Sequence, residues 1–267
     1  MMGKTGLSAN PLSHFVTRLR TAEVVYEPFP HFCLEQVFPT EYYQAMLRHL
    51  PASSVYENWL PVTRLKLDYF QYRDQRHLDE GWTKNLPAEL REFWDSFDEW
   101  FLGPELAQAA LECFAEPLNA RFGEGTPWPM MSVEAELIRH RTGYFLKPHT
   151  DFRTKVVVLL IYLAPDESAL HLGTSLYRPK DRGFSDPDDE QHPFENFVRV
   201  KTTPYKPNSL LAFPRSDISF HGVEPMSEQD VAASCGRDVI QYVIHDKKAR
   251  EEELRARRLA ASNESIA

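Results

Sequence analysis

The chain has 267 residues, of which 42% are hydrophobic, and a formal net charge of −9. This length suits one large domain with a full hydrophobic core. The acidic balance argues against nucleic acid as the main partner, because phosphate binding needs a basic face. The longest apolar run, residues 156–163, has the length of a strand and is far too short to span a membrane. We therefore expect a globular domain that binds neither nucleic acid nor membrane.

The cysteines and the N-terminal residues bear on the cellular compartment. The three cysteines, Cys33, Cys113 and Cys235, are too few and too scattered for a disulfide framework or a zinc knuckle. The first fifteen residues contain Gly, Ser, Asn and Pro but no apolar signal core. These features predict a cytoplasmic protein with incidental thiols.

The first half of the chain has mainly helical patterns. Residues 1–20 are predicted to be flexible, and Pro28 and Pro30 keep the segment 27–32 extended. Three further elements are predicted in chain order: a helix over 39–50, a possible strand over 65–72, and two helical patterns between 87 and 122, the second over 106–118, which Gly103-Pro104 separates. Residues 21–130 are therefore expected to form a helical part that packs on the rest of the chain.

From Met131 onward the pattern changes to short extended stretches separated by Pro and Gly. Eight stretches are predicted: 133–140, 144–151, 155–163, 174–177, 197–203, 209–213, 219–223 and 239–244. Helices followed by a run of strands indicate an α+β protein, mainly β over residues 131–246, in which the helices buttress a sandwich or barrel. The acidic stretch 179–195 is predicted to be a loop at the barrel mouth, with a lid as the alternative, and 247–267 a charged, solvated helical tail.

Two histidines and one carboxylate stand out among the polar residues. His149 and Asp151 are two positions apart, so on a strand their side chains point the same way, and His221 follows 72 positions after His149. Two histidines and a carboxylate form the facial triad that holds non-haem Fe(II) and leaves coordination positions open. Taken together they predict a metal site between strands of a small barrel. The neighbouring Arg153 and Lys155 are predicted to be solvated charges at the start of a strand.

Four segments carry further motifs: Thr142-Gly-Tyr-Phe-Leu-Lys-Pro-His-Thr-Asp151, Leu160-Ile-Tyr-Leu-Ala-Pro-Asp166, Gly173-Thr-Ser-Leu-Tyr177 and His221-Gly-Val. Together they resemble the 2-oxoglutarate/Fe(II)-dependent oxygenases, most closely the prolyl-hydroxylase-like branch. The resemblance covers about residues 131–246 and implies a double-stranded β-helix core of the jelly-roll or cupin kind. It implies that His149, Asp151 and His221 are the catalytic iron ligands. It also implies Fe(II), 2-oxoglutarate as cosubstrate and O2, with ascorbate as a supporting reductant.

The same resemblance assigns residues to the cosubstrate pocket. Arg237 opens the last predicted strand, and the resemblance implies that its guanidinium grips the far carboxylate of 2-oxoglutarate. Tyr162 matches a residue that commonly hydrogen-bonds this carboxylate. His140 stands where members often have a tyrosine that touches the cosubstrate. Arg237 follows His221 by 16 residues, a longer interval than the family usually shows, so residues 227–235 are expected to form an extended loop.

These assignments imply a hydroxylase that oxidises an unactivated C–H bond of a small or carrier-linked metabolite and releases succinate and CO2. The presence of Asp151 favours hydroxylation, because related halogenases lack that carboxylate. Desaturation and ring closure stay open. Two alternatives also remain open: hydroxylation of a protein side chain of the prolyl type, and a catalytically idle metal-binding β-barrel that serves as a binding module. The oligomeric state does not follow from the sequence.

Overall fold

A computed structural model describes residues 10–58, 70–188, 190–230 and 236–264. The helices of the N-terminal half are α1 Pro11–Arg20, α2 Thr40–Arg48, α3 Ala88–Phe101, α4 Pro104–Cys113 and α5 Ala115–Phe122. The helix α6 Lys247–Glu264 follows the last strand. Among the helices described, none combines the length and the apolar composition that crossing a membrane requires.

The strands form two antiparallel sheets. Their bounds are β1 Phe32–Glu35, β2 Glu57–Asn58, β3 Arg73–His77, β4 Met131–His140, β5 Leu146–His149, β6 Lys155–Tyr162, β7 Ser175–Pro179, β8 Phe197–Thr202, β9 Ser209–Pro214, β10 His221–Val223 and β11 Arg237–Asp246. The larger sheet has seven strands in the order β1-β9-β6-β11-β4-β3-β2, and the smaller has four in the order β5-β10-β7-β8.

From β4 onward the chain passes repeatedly between the two sheets. Strands β4, β6, β9 and β11 lie in the large sheet, and β5, β7, β8 and β10 lie in the small one. The two sheets face each other, since one buried cluster contains Leu176 and Val223 of the small sheet and Val158 and Val239 of the large sheet. Each of the eight predicted stretches overlaps one of these strands. The predicted double-stranded β-helix is therefore confirmed.

Alternation along β11 divides its side chains between two cores. Ile240, Tyr242 and Ile244 belong to the cluster that the helices cover, whereas Val239 and Val243 belong to the cluster between the sheets. The ring of Phe101 in α3 lies 5.0 Å from that of Tyr242, centroid to centroid. Each such buried side chain stabilises the fold by about 1.5–3 kcal/mol. The helices thus buttress the outer face of the large sheet, as the sequence predicts.

The N-terminal residues differ from the prediction. The Asn10 side chain accepts a hydrogen bond from the Ser13 N–H at 3.0 Å and caps α1. Phe15 and Leu19, four positions apart, are fully buried against the main core. A flexible lead-in is therefore wrong for residues 10–20, while 1–9 lie outside the described residues. Two apolar residues are too few to indicate a helix in a segment that also contains Gly, Ser and Asn.

Two further elements of the N-terminal half differ in their bounds. The helical pattern over 106–118 is divided at Phe114 into α4 and α5. Pro117 explains the break, because its ring would clash with the carbonyl of Cys113 in a continuous helix. The possible strand over 65–72 falls partly on residues 65–69, which lie outside the described residues. A short 3₁₀ turn occupies Phe70–Tyr72, and the strand begins only at Arg73.

The charged tail forms the predicted helix, and in the first turns of α6 Lys248 and Glu251 are exposed as predicted, whereas another face contacts the barrel. The Arg250 guanidinium donates from Nε and Nη2 to the two carboxylate oxygens of Glu134 in β4, each at 2.7 Å. The Thr154 hydroxyl donates to Glu253 at 3.1 Å. This part of α6 is therefore held against the barrel beside the turn that precedes β6.

Candidate metal centre

The three predicted metal ligands lie together at one end of the barrel. His149 is the last residue of β5 and His221 the first residue of β10, and the two are directly paired in the sheet. Their ring centroids are 4.4 Å apart. One ligand atom from each of His149, Asp151 and His221 lies within 4.8 Å of the other two. The sequence prediction that these residues meet is confirmed.

Asp151 reaches the cluster by a different route from the one predicted. Strand β5 ends at His149, so alternation along a strand does not place the carboxylate. The chain turns between β5 and β6, where the Lys155 N–H donates to the Phe152 carbonyl at 3.0 Å. The buried Arg215 holds this turn, because its Nε donates to the Asp151 carbonyl at 2.9 Å. The position of Asp151 is thus set by a turn and by a side chain from β9's end.

Both imidazoles are arranged to offer Nε2. The Nδ1 of His149 lies 3.0 Å from the Lys147 carbonyl oxygen, and the Nδ1 of His221 lies 3.0 Å from the Ser219 carbonyl oxygen. A carbonyl at Nδ1 fixes the neutral tautomer with its lone pair on Nε2. Burial lowers the pKa of His149 to about 3 and also lowers the pKa of His221. Both rings are therefore neutral donors.

The Asp151 carboxylate has two unlike oxygens. Oδ1 accepts from the Lys155 Nζ at 2.5 Å, while Oδ2 is buried, has no hydrogen-bond partner among the described residues, and lies 3.7 Å from the His221 Nε2. Burial by itself would raise the pKa of this carboxyl, but the charge and the hydrogen bond of the Lys155 ammonium hold it below its usual value. Lys155 was predicted to be solvated. That prediction is wrong, because the side chain is only 14% exposed and pairs with Asp151.

These donors suit a divalent metal. Two neutral imidazole nitrogens and one ionised carboxylate oxygen converge, and within the described part of the chain the oxygen has no hydrogen-bond partner. A buried carboxylate oxygen without a partner is costly unless a ligand completes it. Two histidines and a carboxylate with open positions are the donor set typical of non-haem Fe(II). The residues present therefore fit the metal that the sequence predicts.

A second buried cluster surrounds Arg237, which is 2% exposed. Its Nε donates to the Leu172 carbonyl at 2.5 Å and its Nη2 to the Thr174 hydroxyl at 3.0 Å. Its Nη1 lies 3.0 Å from the His140 Nδ1. Among the described residues no carboxylate forms an ion pair with this guanidinium. A buried cation whose partners are all neutral is expensive, so the site fits an anion brought by a ligand.

His140 adds a donor to this cluster. Its Nδ1 accepts from Arg237, so the proton of the neutral ring lies on Nε2, which is buried without a partner. Burial and the charges of Arg237 and Arg73 hold the pKa of His140 well below its usual value. The Arg237 guanidinium and the His140 Nε2–H are both donors that a carboxylate would accept. The roles of Arg237 and His140 in cosubstrate binding remain predictions.

Tyr162 lies beside the same cluster, with the Arg237 guanidinium carbon 5.4 Å from its ring centroid. Its hydroxyl is within hydrogen-bond distance of two other hydroxyls, Thr174 at 2.9 Å and Thr203 at 2.7 Å. It also accepts from the Thr174 N–H at 3.2 Å. A direct contact between Tyr162 and a cosubstrate stays a prediction, whereas its contact with Thr174, which touches Arg237, is present.

The acidic stretch 179–195 is fastened to the metal-ligand segment. The Thr150 hydroxyl donates to the Asp186 carbonyl at 2.8 Å, and the His192 N–H donates to the Pro148 carbonyl at 2.9 Å. The Arg215 Nη2 donates to the Pro187 carbonyl at 2.7 Å. Apart from residue 189, which lies outside the described residues, this stretch forms a wall beside His149. The lid alternative stays a prediction.

This architecture was compared with those of known proteins. No family model and no curated protein matches the chain. It is similar to a solved prolyl hydroxylase from Trichoplax adhaerens, in complex with a peptide fragment of the hypoxia-inducible factor oxygen-degradation domain, with TM-score 0.51 and 15% identity over 90% of this chain and 91% of that chain. The chain has the prolyl-hydroxylase fold. At this identity the similarity establishes the fold alone.

Two other solved structures are similar to this chain with lower TM-scores. One is a prolyl-4-hydroxylase from Pseudomonas putida, with TM-score 0.47 and 14% identity over 88% of this chain and 100% of that chain. The other is HygX from Streptomyces hygroscopicus, solved with nickel and 2-oxoglutarate bound, with TM-score 0.41 and 12% identity over 81% of this chain and 83% of that chain.

The contacts of three residues of the site could not be predicted from the sequence. Lys155 follows Asp151 by four positions, a spacing that predicts a contact only on a helix. Thr174 stands within a quoted motif, but nothing in that motif places its hydroxyl on Arg237. Arg215 follows a predicted strand and gives no sign that it binds the Asp151 carbonyl. All three act through contacts that the folded chain alone creates.

Proposed function

We propose that this chain is an Fe(II)- and 2-oxoglutarate-dependent dioxygenase that hydroxylates a C–H bond of a small or carrier-linked metabolite. One observation supports it above the others. A converging His149, Asp151 and His221 and a buried guanidinium without a carboxylate partner occur in the same prolyl-hydroxylase fold. The first group suits Fe(II), and the second suits the far carboxylate of a dicarboxylate cosubstrate.

Each residue then has a defined task. The Nε2 atoms of His149 and His221 and the Oδ2 atom of Asp151 would hold the metal, since the Nδ1 atom of each ring faces a backbone carbonyl and Oδ2 has no hydrogen-bond partner among the described residues. The carbonyls of Lys147 and Ser219 fix the orientation of the two rings. Arg237 and the His140 Nε2–H would bind the far carboxylate of the cosubstrate.

Fe(II), when bound, lets 2-oxoglutarate and O2 oxidise the substrate R–H to R–OH with release of succinate and CO2. The protein orients the target carbon and excludes water, and the redox chemistry belongs to the metal. Val158, Leu176, Phe213 and Val239 belong to the apolar cluster between the sheets, so apolar side chains line much of the interior beside the site. The Asp151 ligand favours hydroxylation.

Two observations bear on the class of substrate. The wall formed by 179–195 beside His149 supports a confined pocket and therefore a small or carrier-linked substrate. A protein side chain is the second candidate, because the similar Trichoplax adhaerens protein was solved with a peptide fragment. Screening both classes by succinate release distinguishes the two, since only the correct class raises turnover above the substrate-free rate.

The decisive experiment is anaerobic titration of the metal-free protein with Fe(II) and then 2-oxoglutarate. We expect the weak visible charge-transfer band of the metal chelate to appear in the wild type. The band should be absent in His149→Ala, which removes a metal ligand, and strongly reduced in Arg237→Ala, which removes the carboxylate partner. Arg141→Ala is the matched control, because Arg141 is a half-exposed arginine paired with Asp74 outside the site.

The possible outcomes distinguish the proposed enzyme from the alternatives. A band that is equally strong in His149→Ala would contradict the metal assignment. Iron binding without any band in the wild type would support the idle metal-binding barrel. A band without succinate release for any substrate tested would leave the cofactor assignment in place and would show that the substrate lies outside the classes screened.

A further inference from the structure

Lys155 is a buried cation in contact with a predicted metal ligand. It is the first residue of β6, its side chain is 14% exposed, and its Nζ lies 2.5 Å from the Asp151 Oδ1. Two backbone contacts fix its position: its N–H donates to the Phe152 carbonyl at 3.0 Å, and its carbonyl accepts from the Arg121 Nη1 at 2.7 Å. The ammonium is therefore built into the turn that carries Asp151.

This contact makes the two oxygens of Asp151 unequal. Oδ1 is taken by Lys155, and Oδ2, which has no hydrogen-bond partner, lies 3.7 Å from the His221 Nε2. A carboxylate held in this way offers one oxygen to a metal. The coordination position that a second oxygen would occupy stays open, as binding a bidentate cosubstrate requires.

The contact also fixes the charge of the site. Asp151 and Lys155 cancel, and the two imidazoles are neutral, so the protein presents no net charge to the metal. A divalent metal then leaves two positive charges beside a fixed ammonium in a buried site, where they repel each other strongly. The carboxylate of 2-oxoglutarate that binds at the metal would reduce this excess, while the far carboxylate would pair with Arg237.

We propose that Lys155 is a positioning residue that stands in for the metal as the counter-cation of Asp151, restricts the carboxylate to one-oxygen ligation, and makes tight metal binding depend on 2-oxoglutarate. This inference rests on the proposed function. Lys155 weakens the binding of the metal alone, because the metal has to share the carboxylate with an existing cation. The cosubstrate restores the affinity, so metal and cosubstrate bind with positive coupling.

The test measures the affinity for Mn(II), a redox-stable probe, by calorimetry with and without saturating 2-oxoglutarate. The proteins are the wild type, Lys155→Met, Lys155→Arg and His149→Ala, each as the full chain. Lys201→Met is the matched control, because Lys201 is an exposed lysine of β8. The thermal unfolding temperature of each metal-free protein is recorded with and without Mn(II).

In Lys155→Met we expect Mn(II) alone to bind at least about fivefold tighter, and its coupling to 2-oxoglutarate to shrink by a similar factor. The metal-free variant should unfold at a lower temperature than the wild type, and Mn(II) should restore it, because the buried carboxylate has lost its cation. Lys155→Arg, which keeps the charge, should resemble the wild type, as should Lys201→Met. If Lys155→Met is insoluble without metal, Lys155→Gln gives the same comparison.

Unchanged or weaker Mn(II) binding in Lys155→Met would overturn the inference, since it would show that Lys155 only supports the turn. Loss of coupling in Lys155→Arg as well would also overturn it, because the charge would then not be the cause. Failure of the proposed function looks different. In that case His149→Ala binds Mn(II) as the wild type does, or 2-oxoglutarate fails to bind any of the proteins.

Discussion

At the metal end of the barrel a buried carboxylate has a cation beside it, whereas at the other end a buried guanidinium has only neutral partners. Asp151 pairs with Lys155 at 2.5 Å, while Arg237 contacts the Leu172 carbonyl, the Thr174 hydroxyl and the His140 ring. The charges of Asp151 and Lys155 cancel before any ligand binds, whereas the charge of Arg237 has no counter-charge among the described residues. An uncompensated buried charge is maintained at a cost in stability, which is typical of a site that receives a counter-ion from its ligand.

The largest effect should follow from breaking the compensated end. Asp151→Ala removes a metal ligand and leaves Lys155 buried without its partner. We expect the affinity for Fe(II) or Mn(II) to fall more than about 100-fold. This exceeds the loss of about 10–100-fold in metal affinity that is typical when a residue hydrogen-bonded to a metal ligand is replaced. The metal-free variant should lose about 3 kcal/mol of unfolding free energy. Calorimetry and urea denaturation measure the two quantities, with Asp166→Ala, an exposed carboxylate, as the control.

Replacing Arg237 should change the affinity for 2-oxoglutarate more than it changes the free energy of unfolding. Arg237→Ala should weaken 2-oxoglutarate binding by roughly 30-fold or more, because one partner of a buried charge pair is lost. Arg237→Lys keeps the charge but not the two-pronged hydrogen bonding, so its affinity should lie between the two. Calorimetry with Mn(II)-loaded protein measures this. Equal affinities in the wild type and Arg237→Ala would mean that this cation does not bind the cosubstrate.

The pH dependence of stability offers a test at the metal end. Burial lowers the pKa of His245 to about 4, while in the unfolded chain a histidine titrates near 6.5. Below pH 6.5 the unfolded chain takes up a proton that the folded chain does not. The stability contributed above pH 6.5 is therefore lost as the pH falls toward 4, by roughly 2 kcal/mol at pH 5.

His245→Gln should remove this part of the pH dependence. Urea denaturation at pH 7.5, 6.0 and 5.0 should show a smaller loss of unfolding free energy between pH 7.5 and 5.0 in the variant than in the wild type. His77→Gln is the control, since His77 is half-exposed. Parallel pH profiles for the wild type and His245→Gln would show that this buried ring does not contribute.

The smallest effect concerns the hydroxyl next to Arg237. Tyr162→Phe removes the hydrogen bonds to Thr174 and Thr203 and should lower the unfolding free energy by about 1 kcal/mol. If Tyr162 acts only by holding Thr174 in place, the affinity for 2-oxoglutarate should change little. A loss of affinity as large as that of Arg237→Ala would instead indicate a direct contact between the Tyr162 hydroxyl and the cosubstrate.

Much of the barrel follows from local patterns in the chain. Alternation and turn residues locate each of the eight core strands, because a strand buried between two layers requires apolar side chains on known positions. The predictions are weakest where a tertiary contact overrides the local pattern. Helix α1 depends on burying Phe15 and Leu19, and the division between α4 and α5 depends on Pro117.

The periodicity of the sequence by itself determined an α+β protein with a run of short strands after Met131, because strand periodicity is a local property of the chain. The motifs around His149, Asp151 and His221 added, by family resemblance, the double-stranded β-helix and the metal triad. Only the tertiary structure decided how each charge is compensated. It places Lys155 on one oxygen of Asp151 and leaves the other without a partner, and it surrounds Arg237 with neutral groups. The physical reason is that desolvation and pairing of a charge depend on which distant segments pack around it.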